Sequence, residues 1–358
     1  MTQQLTPLVP PQTQTQPPPP APRTRDPFFD NAKFLAILLV VVGHTIAGLR
    51  NTVPVAEALY TFIYAFHMPL FVVVTGYFSK GFGKAEGKTR KLIAGVAAPY
   101  VVFEIAYSLF EWHFNDKKIL TISLLDPIYL TWFMLALFLW RLSTPFWQQV
   151  RWPLAVAVAV SLLGYTAPLS SHLDMHKVLG LAPFYVLGLC LRPEHFDLVR
   201  GPRSRLAGTL ILIGGFLVAW WAKDRMNYRW LYWWDSHKDL GVDALTGTVM
   251  RLALMVAACV LLFAFLALVP RRHTWFTRLG SATIYTYLLH GFLIKFVQFQ
   301  EWDHLAWLQN IWGMSGMIAC ALIVGTVLCT QPVIRLTRWA VEPKVDWLFR
   351  ESRLPAGK

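Results

Sequence analysis

The chain has 358 residues, of which 55% are hydrophobic and 15% are charged, and its formal net charge is +13. A soluble globular protein of this length does not need so much apolar surface, and the apolar residues come in repeated runs close to the length that spans a bilayer. The composition therefore argues against a soluble domain and predicts an all-α integral membrane protein.

The two ends of the chain differ in composition from its middle. The N-terminal region contains the tract PPQTQTQPPPPAP, which cannot build a hydrophobic core and lacks the features of a secretory signal. We predict a disordered Pro/Gln-rich cytoplasmic tail over residues 1–27, a transmembrane domain over residues 28–340 and a short basic cytoplasmic tail over residues 341–358.

Apolar segments between the tails indicate membrane helices. Most of them approach the roughly 20 residues that a bilayer-spanning helix needs, and the fourth and sixth are shorter. The ten segments are residues 33–49, 57–78, 91–112, 128–141, 151–168, 178–191, 206–222, 246–269, 280–299 and 309–333.

Basic residues predict how these segments are oriented. With the N-terminus in the cytoplasm, the inner loops and tails hold 23 of the 33 basic residues. Such an excess is typical of cytoplasmic loops. We therefore predict ten transmembrane helices in the inner or plasma membrane, with both termini in the cytoplasm. The same bias explains the positive charge without a nucleic-acid partner, and membrane lipids are the expected surroundings.

The first helix carries two polar side chains on one face. Lys33 and His44 are eleven residues apart, so they point in the same direction and lie about 16 Å apart along the helix axis. A buried ionisable group in a membrane helix is costly. Such a group usually pairs with another side chain or handles a substrate, an ion or a proton.

Three more ionisable residues fall at a similar estimated depth: His67 on the second segment, Glu104 on the third and His290 on the ninth. Each alone has a structural interpretation, as a histidine bonded to a neighbouring helix or as a carboxylate that supports other groups. Their shared depth favours a functional layer. It would suit a transporter or proton relay, or an enzyme whose two substrates meet there.

Two connections carry further signals. The inner connection FSKGFGKAEGKTRK suits a phosphate-bearing cytoplasmic ligand, or it is an ordinary positively charged inner loop. The outer connection over residues 223–245 indicates an interfacial aromatic belt, or a lid that binds a sugar through Trp230, Trp233 and Trp234. The sequence has no nucleotide-binding G-x-x-x-x-G-K-[ST] motif, and we expect no metal and no bound cofactor.

Five blocks of sequence follow one another through the apolar region: DNAKFLAILLVVVGH, YAFHMPLFVVVTGYF, TRKLIAGVAAPY, YLTWFMLALFLW and LGSATIYTYLLHGF. In combination they resemble the membrane-bound acyltransferase 3 family, and within it the branch of fucose 4-O-acetylase-like proteins. The resemblance implies a ten-helix membrane enzyme that uses a cytoplasmic acyl-CoA to O-acylate sugars, glycans or natural products.

The first block departs from the family pattern at one position. The family has an arginine separated by ten residues from the first-helix histidine, and the matching positions here are Lys33 and His44. A lysine keeps the cation but favours a point-charge contact over a bidentate phosphate clamp. Asp30, three residues before Lys33 on the same helical face, is expected to support this lysine.

The resemblance also implies where the donor binds. Acyl-CoA, expected to be acetyl-CoA, is a cosubstrate whose phosphates would contact Lys33, Lys88, Arg90 and Lys91. Its pantetheine arm is long enough to carry the thioester from the cytoplasmic surface to His44.

Catalytic roles follow from the same residues. We expect His44 to act as the general base that removes a proton from the acceptor hydroxyl, since imidazole exchanges protons near neutral pH. His67, His290 and Glu104 are further catalytic candidates. Oxyanion or acceptor contacts are expected from Trp132, Tyr287 and Trp233.

The sequence thus predicts an O-acyltransferase with a sugar-containing acceptor. The alternative is a secondary transporter or exporter of a small anionic or acylated molecule. The chain has no internal repeat and no pair of corresponding broken helices, which argues against a carrier. A non-catalytic scaffold would leave the membrane histidines unexplained.

Overall fold

The computed structural model describes residues 26–82, 87–115, 118–166 and 172–349, and within these ranges the chain is all-helical without a β-strand. The N-terminal tail up to residue 25 and the last nine residues lie outside the described residues. The predicted boundaries of the tails therefore stay predictions.

The helices follow the apolar segments in chain order. The chain over Lys88–Phe114 runs as one helix with a π-helical turn at Ile93–Ala97. The helices are α1 Pro27–Thr45, α2 Pro54–Ser79, α3 Lys88–Leu92, α4 Ala98–Phe114, α5 Trp132–Gln149, α6 Pro153–Gly164, α7 Met175–Cys190, α8 Pro193–Asp197, α9 Pro202–Ala222, α10 Ala244–Leu268, α11 Thr283–Phe299, α12 Ile311–Val327 and α13 Gln331–Val341.

Each of the ten predicted segments contains a helix, which confirms the all-α class. Six helices in the described ranges are long and apolar enough to cross a membrane, and the pair Ile311–Val327 and Gln331–Leu348, bent by 72°, would make a seventh span. Among the others, α6 has 12 residues and α11 has 17, whereas a full span takes about 20. The chain is thus a multi-pass membrane protein, and the count of ten spans and the cytoplasmic termini stay predictions.

Local sequence determines where the key helices begin. The Asp26 side chain accepts a hydrogen bond from the Phe28 amide at 2.9 Å, and Pro27 occupies the first helical position of α1. Asp243 caps α10 in the same way, through two backbone amides. These caps set the register in which α1 and α10 present their side chains.

Close contacts between pairs of helices surround a central cavity. A Cβ on Gly76 would clash with the Tyr185 carbonyl, and one on Gly188 would clash with the Val73 carbonyl, so glycine lets α2 and α7 touch through their backbones. On the other side of α1, the Thr286 hydroxyl donates to the Gly325 carbonyl at 2.9 Å and joins α11 to α12. The resulting arrangement encloses a cavity between α1, α2, α5, α7 and α11.

Candidate active site

The central cavity has a volume of about 800 Å³ and differs in chemistry between its two ends. Lys33, near the start of α1, and Arg141 line one end, which we call the cationic end. Trp132, at the start of α5, and the neighbours Trp233 and Trp234 line the other, which we call the tryptophan end. The cavity therefore runs along the helices and has a different ligand preference at each end.

His44 contacts a second histidine across the bundle. Its Nδ1 atom lies 3.1 Å from Nε2 of His290, and the two rings stack with centroids 5.3 Å apart. His290 is buried, whereas His44 is partly accessible and lines the cavity together with Lys33. The predicted common face of Lys33 and His44 is confirmed, and so is the shared depth of His44 and His290.

Hydrogen bonds assign the protons of this pair. Nδ1 of His290 lies 2.7 Å from the Thr286 carbonyl oxygen, which can only accept, so this nitrogen carries the proton. Nε2 of His290 then holds a lone pair, and Nδ1 of His44 donates to it. The lone pair of His44 is left on Nε2, the nitrogen that takes no part in the pair. This nitrogen can therefore accept a hydrogen bond from a hydroxyl that reaches it.

His67 lines the same cavity and is separated from the pair by a tyrosine. Its Nδ1 donates to the Ile63 carbonyl at 2.9 Å, one turn back on α2. Its ring lies edge-on to Tyr64 at 4.6 Å, and the Tyr64 ring lies 6.3 Å from that of His44, measured between centroids. His67 therefore reaches His44 through Tyr64 and forms part of the cavity wall.

Glu104 does not line the cavity, which argues against the direct catalytic role predicted for it. Its carboxylate accepts from the Ile128 amide at 3.1 Å and from the Thr131 hydroxyl at 2.5 Å. The segment held in this way carries Tyr129, which has a positive φ of 50° and whose ring centroid lies 5.7 Å from that of His44. Glu104 is thus a positioning residue for the segment that brings Tyr129 to the site.

Two cations define the cationic end. Lys33 Nζ lies 2.8 Å from the Asp30 carboxylate, as predicted from their spacing. The fourth predicted segment ends at Arg141. Instead α5 continues to Gln149, so Arg141 lies in the middle of an 18-residue helix and faces the cavity. The apolar run ends at this arginine because one face of α5 is polar, not because the helix ends.

The other predicted donor-binding cations lie elsewhere. Lys88, Arg90 and Lys91 belong to the short helix α3 and do not line the central cavity. The Arg90 guanidinium pairs with Asp346 at 2.7 Å on the protein surface. The geometry therefore supports Lys33 as a ligand contact and gives no support to these three residues as parts of the same pocket.

A lysine held between aromatic rings lies at the tryptophan end. Lys177 Nζ is 4.9 Å from the Trp132 ring centroid and 4.5 Å from that of Trp234, and it lies 3.1 Å from the Asp174 carboxylate. Cation–π contacts of this kind hold both rings in place. The wall formed by these residues combines flat aromatic faces with charged edges, a surface suited to polyhydroxylated ligands.

Trp233 offers an unused hydrogen-bond donor to the same end. Its side chain is 1% exposed, and its indole Nε1 has no hydrogen-bond partner among the described residues. A buried donor left unpaired costs about 1–3 kcal/mol, which a ligand oxygen could offset. This placement agrees with the prediction that Trp233 contacts the acceptor.

The connection between α9 and α10, which carries Trp233, is held by hydrogen bonds from a buried arginine. Arg251, 1% exposed, donates to the Trp230 carbonyl at 2.7 Å and to the Asp235 carbonyl at 2.9 Å, and its guanidinium lies 3.9 Å above the Tyr165 ring. Trp230 is itself buried and does not line the cavity. The interpretation of Trp230 and Trp233 as an interfacial belt is therefore wrong, because both side chains pack inside the protein.

Trp132 and Tyr287 are the two candidates for a hydrogen bond to the oxyanion, and they differ in whether their donor group is already used. Both Trp132 and Tyr287 line the cavity. The Tyr287 hydroxyl, however, already donates to the Leu130 carbonyl. Trp132 therefore fits an oxyanion contact better than Tyr287 does.

Sequence reasoning missed several residues of this site. Tyr64 carried a signal, since it lies three residues before His67 on the same helical face. Lys177 lies one residue outside a predicted segment. Tyr129 lies inside the predicted segment over residues 128–141, but the structure places it in the connection before α5. Within the described ranges, no group of three or more His, Cys, Asp or Glu side chains is arranged to hold a metal ion.

Comparisons with known proteins agree with the membrane architecture. The model of the acyltransferase 3 family, described as an acyltransferase domain, matches residues 26–330. The nodulation protein NolL of Sinorhizobium fredii is 27% identical over 307 residues, which cover 78% of this chain and 82% of that protein. The nodulation protein NolL of Mesorhizobium japonicum is 26% identical over 330 residues, which cover 85% and 84%. No solved structure matches the chain.

Proposed function

Since this chain belongs to the acyltransferase 3 family, we propose that it is an O-acyltransferase that moves an acyl group from acyl-CoA to a hydroxyl of a sugar-containing acceptor. The observation that carries the proposal is the His44–His290 pair: the lone pair of His44 is on Nε2, and His44 lines a cavity between a cationic end and a tryptophan end. We further propose acetyl-CoA as the donor, the fucose 4-O-acetylase-like branch as the nearest group and the plasma membrane as the location.

The donor enters from the cationic end. Lys33 and Arg141 are suited to the CoA phosphates, because ammonium and guanidinium groups form charge-assisted hydrogen bonds to phosphate. Lys33 lies about 16 Å from His44 along α1, a distance that the pantetheine arm can cover. With both termini in the cytoplasm, this end of the cavity opens to the compartment that holds acyl-CoA.

The reaction uses His44 as a general base. Its Nε2 accepts the proton of the acceptor hydroxyl while the hydroxyl oxygen attacks the thioester carbonyl carbon. The tetrahedral intermediate collapses as the C–S bond breaks, and the imidazolium returns the proton to the CoA thiolate. The products are the O-acyl ester and free CoA thiol. His290 holds His44 in the reactive tautomer through the 3.1 Å contact.

The acceptor approaches from the tryptophan end. Trp132 and Trp234 offer ring faces to a sugar, and Nε1 of Trp233 offers a hydrogen bond to one of its oxygens. Two substrates that enter the cavity from its opposite ends meet at His44, which lines the cavity between those ends.

The test is CoA release by the purified protein in nanodiscs, with and without candidate sugar acceptors. We expect acceptor-dependent release that is lost in His44→Ala and retained in His273→Ala, a matched control because His273 is exposed and does not line the central cavity. Full release by a folded His44→Ala protein would contradict the assignment of the base.

The continuous cavity also favours a second candidate, a secondary transporter of a small anionic or acylated molecule. Its lining reaches from Lys33 at the start of α1 to Asp174 just before α7, as a substrate path would. Saturable acyl-CoA binding with acceptor-dependent turnover supports the enzyme. The absence of both would favour the transporter.

A further inference from the structure

A second large cavity meets the first at the histidine pair. It has a volume of about 700 Å³ and lies between α11 and α12. Both His44 and His290 belong to its wall, and His44 belongs to the wall of the central cavity as well. The proposed acyl transfer uses the central cavity and leaves this second cavity without a role.

The wall of the second cavity is mostly apolar. Side chains such as Leu293, Val297, Met317 and Val324 line its interior. Three tryptophans, Trp302, Trp307 and Trp312, are also part of the wall, and all three are exposed. Exposed tryptophans collect at the level of the lipid headgroups in membrane proteins. The cavity thus has an apolar interior and an aromatic rim.

One carboxylate in this wall has an unused oxygen. Asp303 is 6% exposed, and its Oδ1 has no hydrogen-bond partner in the described part of the chain. A buried acceptor without a donor is costly, so the oxygen is suited to a ligand hydroxyl. The Asp303 carboxylate packs directly against Gly48, where a Cβ would clash with it. Gly48 lies four residues after His44, which puts the carboxylate roughly 6–8 Å beyond it along the helix.

We propose that the second cavity binds the acceptor and that the acceptor is an amphiphile. Its hydrocarbon chain lies between α11 and α12, a hydroxyl near the junction of chain and head group donates to Asp303, and the glycosyl head passes His44 toward the tryptophan end. This inference rests on the proposed acyl transfer and adds the class of acceptor to it. It explains why an apolar cavity with one unpaired carboxylate oxygen adjoins the histidine pair.

A glycine in α12 allows the cavity to be filled without disturbing its neighbours. A Cβ on Gly316 would meet nothing within 4 Å, and Gly316 lines the second cavity, so Gly316→Trp is expected to occupy it. Gly214 on α9 is equally open and lines neither cavity, which makes Gly214→Trp the matched control. Turnover is measured in nanodiscs with the methyl and dodecyl glycosides of glucose and fucose.

The ratio of kcat/KM for the dodecyl glycoside to that for the methyl glycoside is the decisive quantity. Partition of the dodecyl chain into the bilayer is the same for every variant, so a change in the ratio isolates the cavity. We expect Gly316→Trp to lower the ratio roughly tenfold, as the loss of about 1.4 kcal/mol of contact would, and Gly214→Trp to keep it. Equal ratios in the two variants would overturn the proposal.

A binding measurement separates this inference from the proposed function. Cys320 is exposed and lines the second cavity, whereas Cys190 is exposed and lines neither cavity. Dodecyl glucoside is expected to slow alkylation of Cys320 by a membrane-permeant maleimide, with Cys190 as the internal control. In Asp303→Asn, which keeps the volume and exchanges an acceptor oxygen for a donor nitrogen, protection should need a higher concentration.

The outcomes of the two measurements are distinct. Protection of Cys320 without CoA release from any acceptor would support the amphiphile site and contradict acyl transfer. CoA release from methyl and dodecyl glycosides alike, with Cys320 and Cys190 slowed equally, would overturn the amphiphile site and leave acyl transfer standing.

Discussion

The contact between His44 and His290 predicts how far kcat falls when each histidine is replaced by alanine. If His44 is the base, His44→Ala removes general-base catalysis, which is worth about 100- to 10,000-fold in rate. His290→Ala leaves the base present but removes the 3.1 Å hydrogen bond that orients it. We therefore expect both variants to lose kcat, with the larger loss in His44→Ala.

The expected loss in His290→Ala can be worked out from that hydrogen bond. His44 becomes an imidazolium when it takes the acceptor proton, and a hydrogen bond to a charged group contributes about 1.5–3 kcal/mol. At about 1.4 kcal/mol for each factor of ten, kcat should fall about 10- to 150-fold. KM for acyl-CoA should stay unchanged, because His290 does not line the central cavity, whose cationic end we assign to the donor.

The assay is steady-state CoA release in nanodiscs, with the thermal unfolding midpoint measured for each variant. His290→Gln supplies an amide oxygen that can accept from His44 and is expected to recover most of the lost kcat. A role for His290 in folding alone would instead lower the unfolding midpoint without recovery by glutamine. The reasoning would be refuted by a His290→Ala protein with normal kcat, or by one in which only KM for acyl-CoA changes.

Three further predictions concern the ends of the cavity and the start of α10. Arg141→Ala should raise KM for acyl-CoA roughly tenfold through the loss of a charged contact, whereas Arg151→Ala, an exposed control, should not. Trp233→Phe keeps an aromatic side chain, although a smaller one, and removes the unpaired Nε1 donor, so acceptor KM should rise about 2- to 10-fold with acyl-CoA KM constant. Hydrogen bonds from the Thr246 hydroxyl and from backbone amides lower the pKa of Asp243. This group therefore stabilises the folded state above the ordinary pKa of aspartate, and that contribution is lost as the pH falls through the lowered value. Protection factors, which correct for the intrinsic pH dependence of amide exchange, should fall at the start of α10 on acidification in the wild type, and less so in Asp243→Asn, which keeps a capping oxygen but does not titrate.

Features that depend on local spacing could be predicted from the sequence. The positions of the helices follow from apolar runs, and each predicted segment contains one. The common face of Lys33 and His44 follows from a separation of almost three turns, and the Asp30–Lys33 pair follows from a separation of one. In each case the two residues lie on one helix, so their spacing in the sequence fixes their relative positions.

Roles that depend on which helix packs against which could not be assigned in this way. Glu104 was grouped with the histidines by depth alone, yet its partners are Ile128 and Thr131, in the connection before α5. Depth gives one coordinate of a membrane residue, and the angle around the helix axis decides what the side chain touches. The same limit applies to Trp230 and Trp233, whose burial depends on how Arg251 holds their connection.

The sequence by itself determined the membrane class, the order of the helices and the pairing of a cation with a histidine on α1. Only the tertiary structure decided that His44 meets His290, 246 residues away, that Arg141 faces the cavity and that a second cavity adjoins the pair. Local patterns are fixed by helix geometry, which repeats every 3.6 residues. Contacts between distant residues depend on how closely two helices approach and on how each is rotated about its axis. Small residues such as Gly76 and Gly188 determine the distance of approach for one particular pair of helices, α2 and α7.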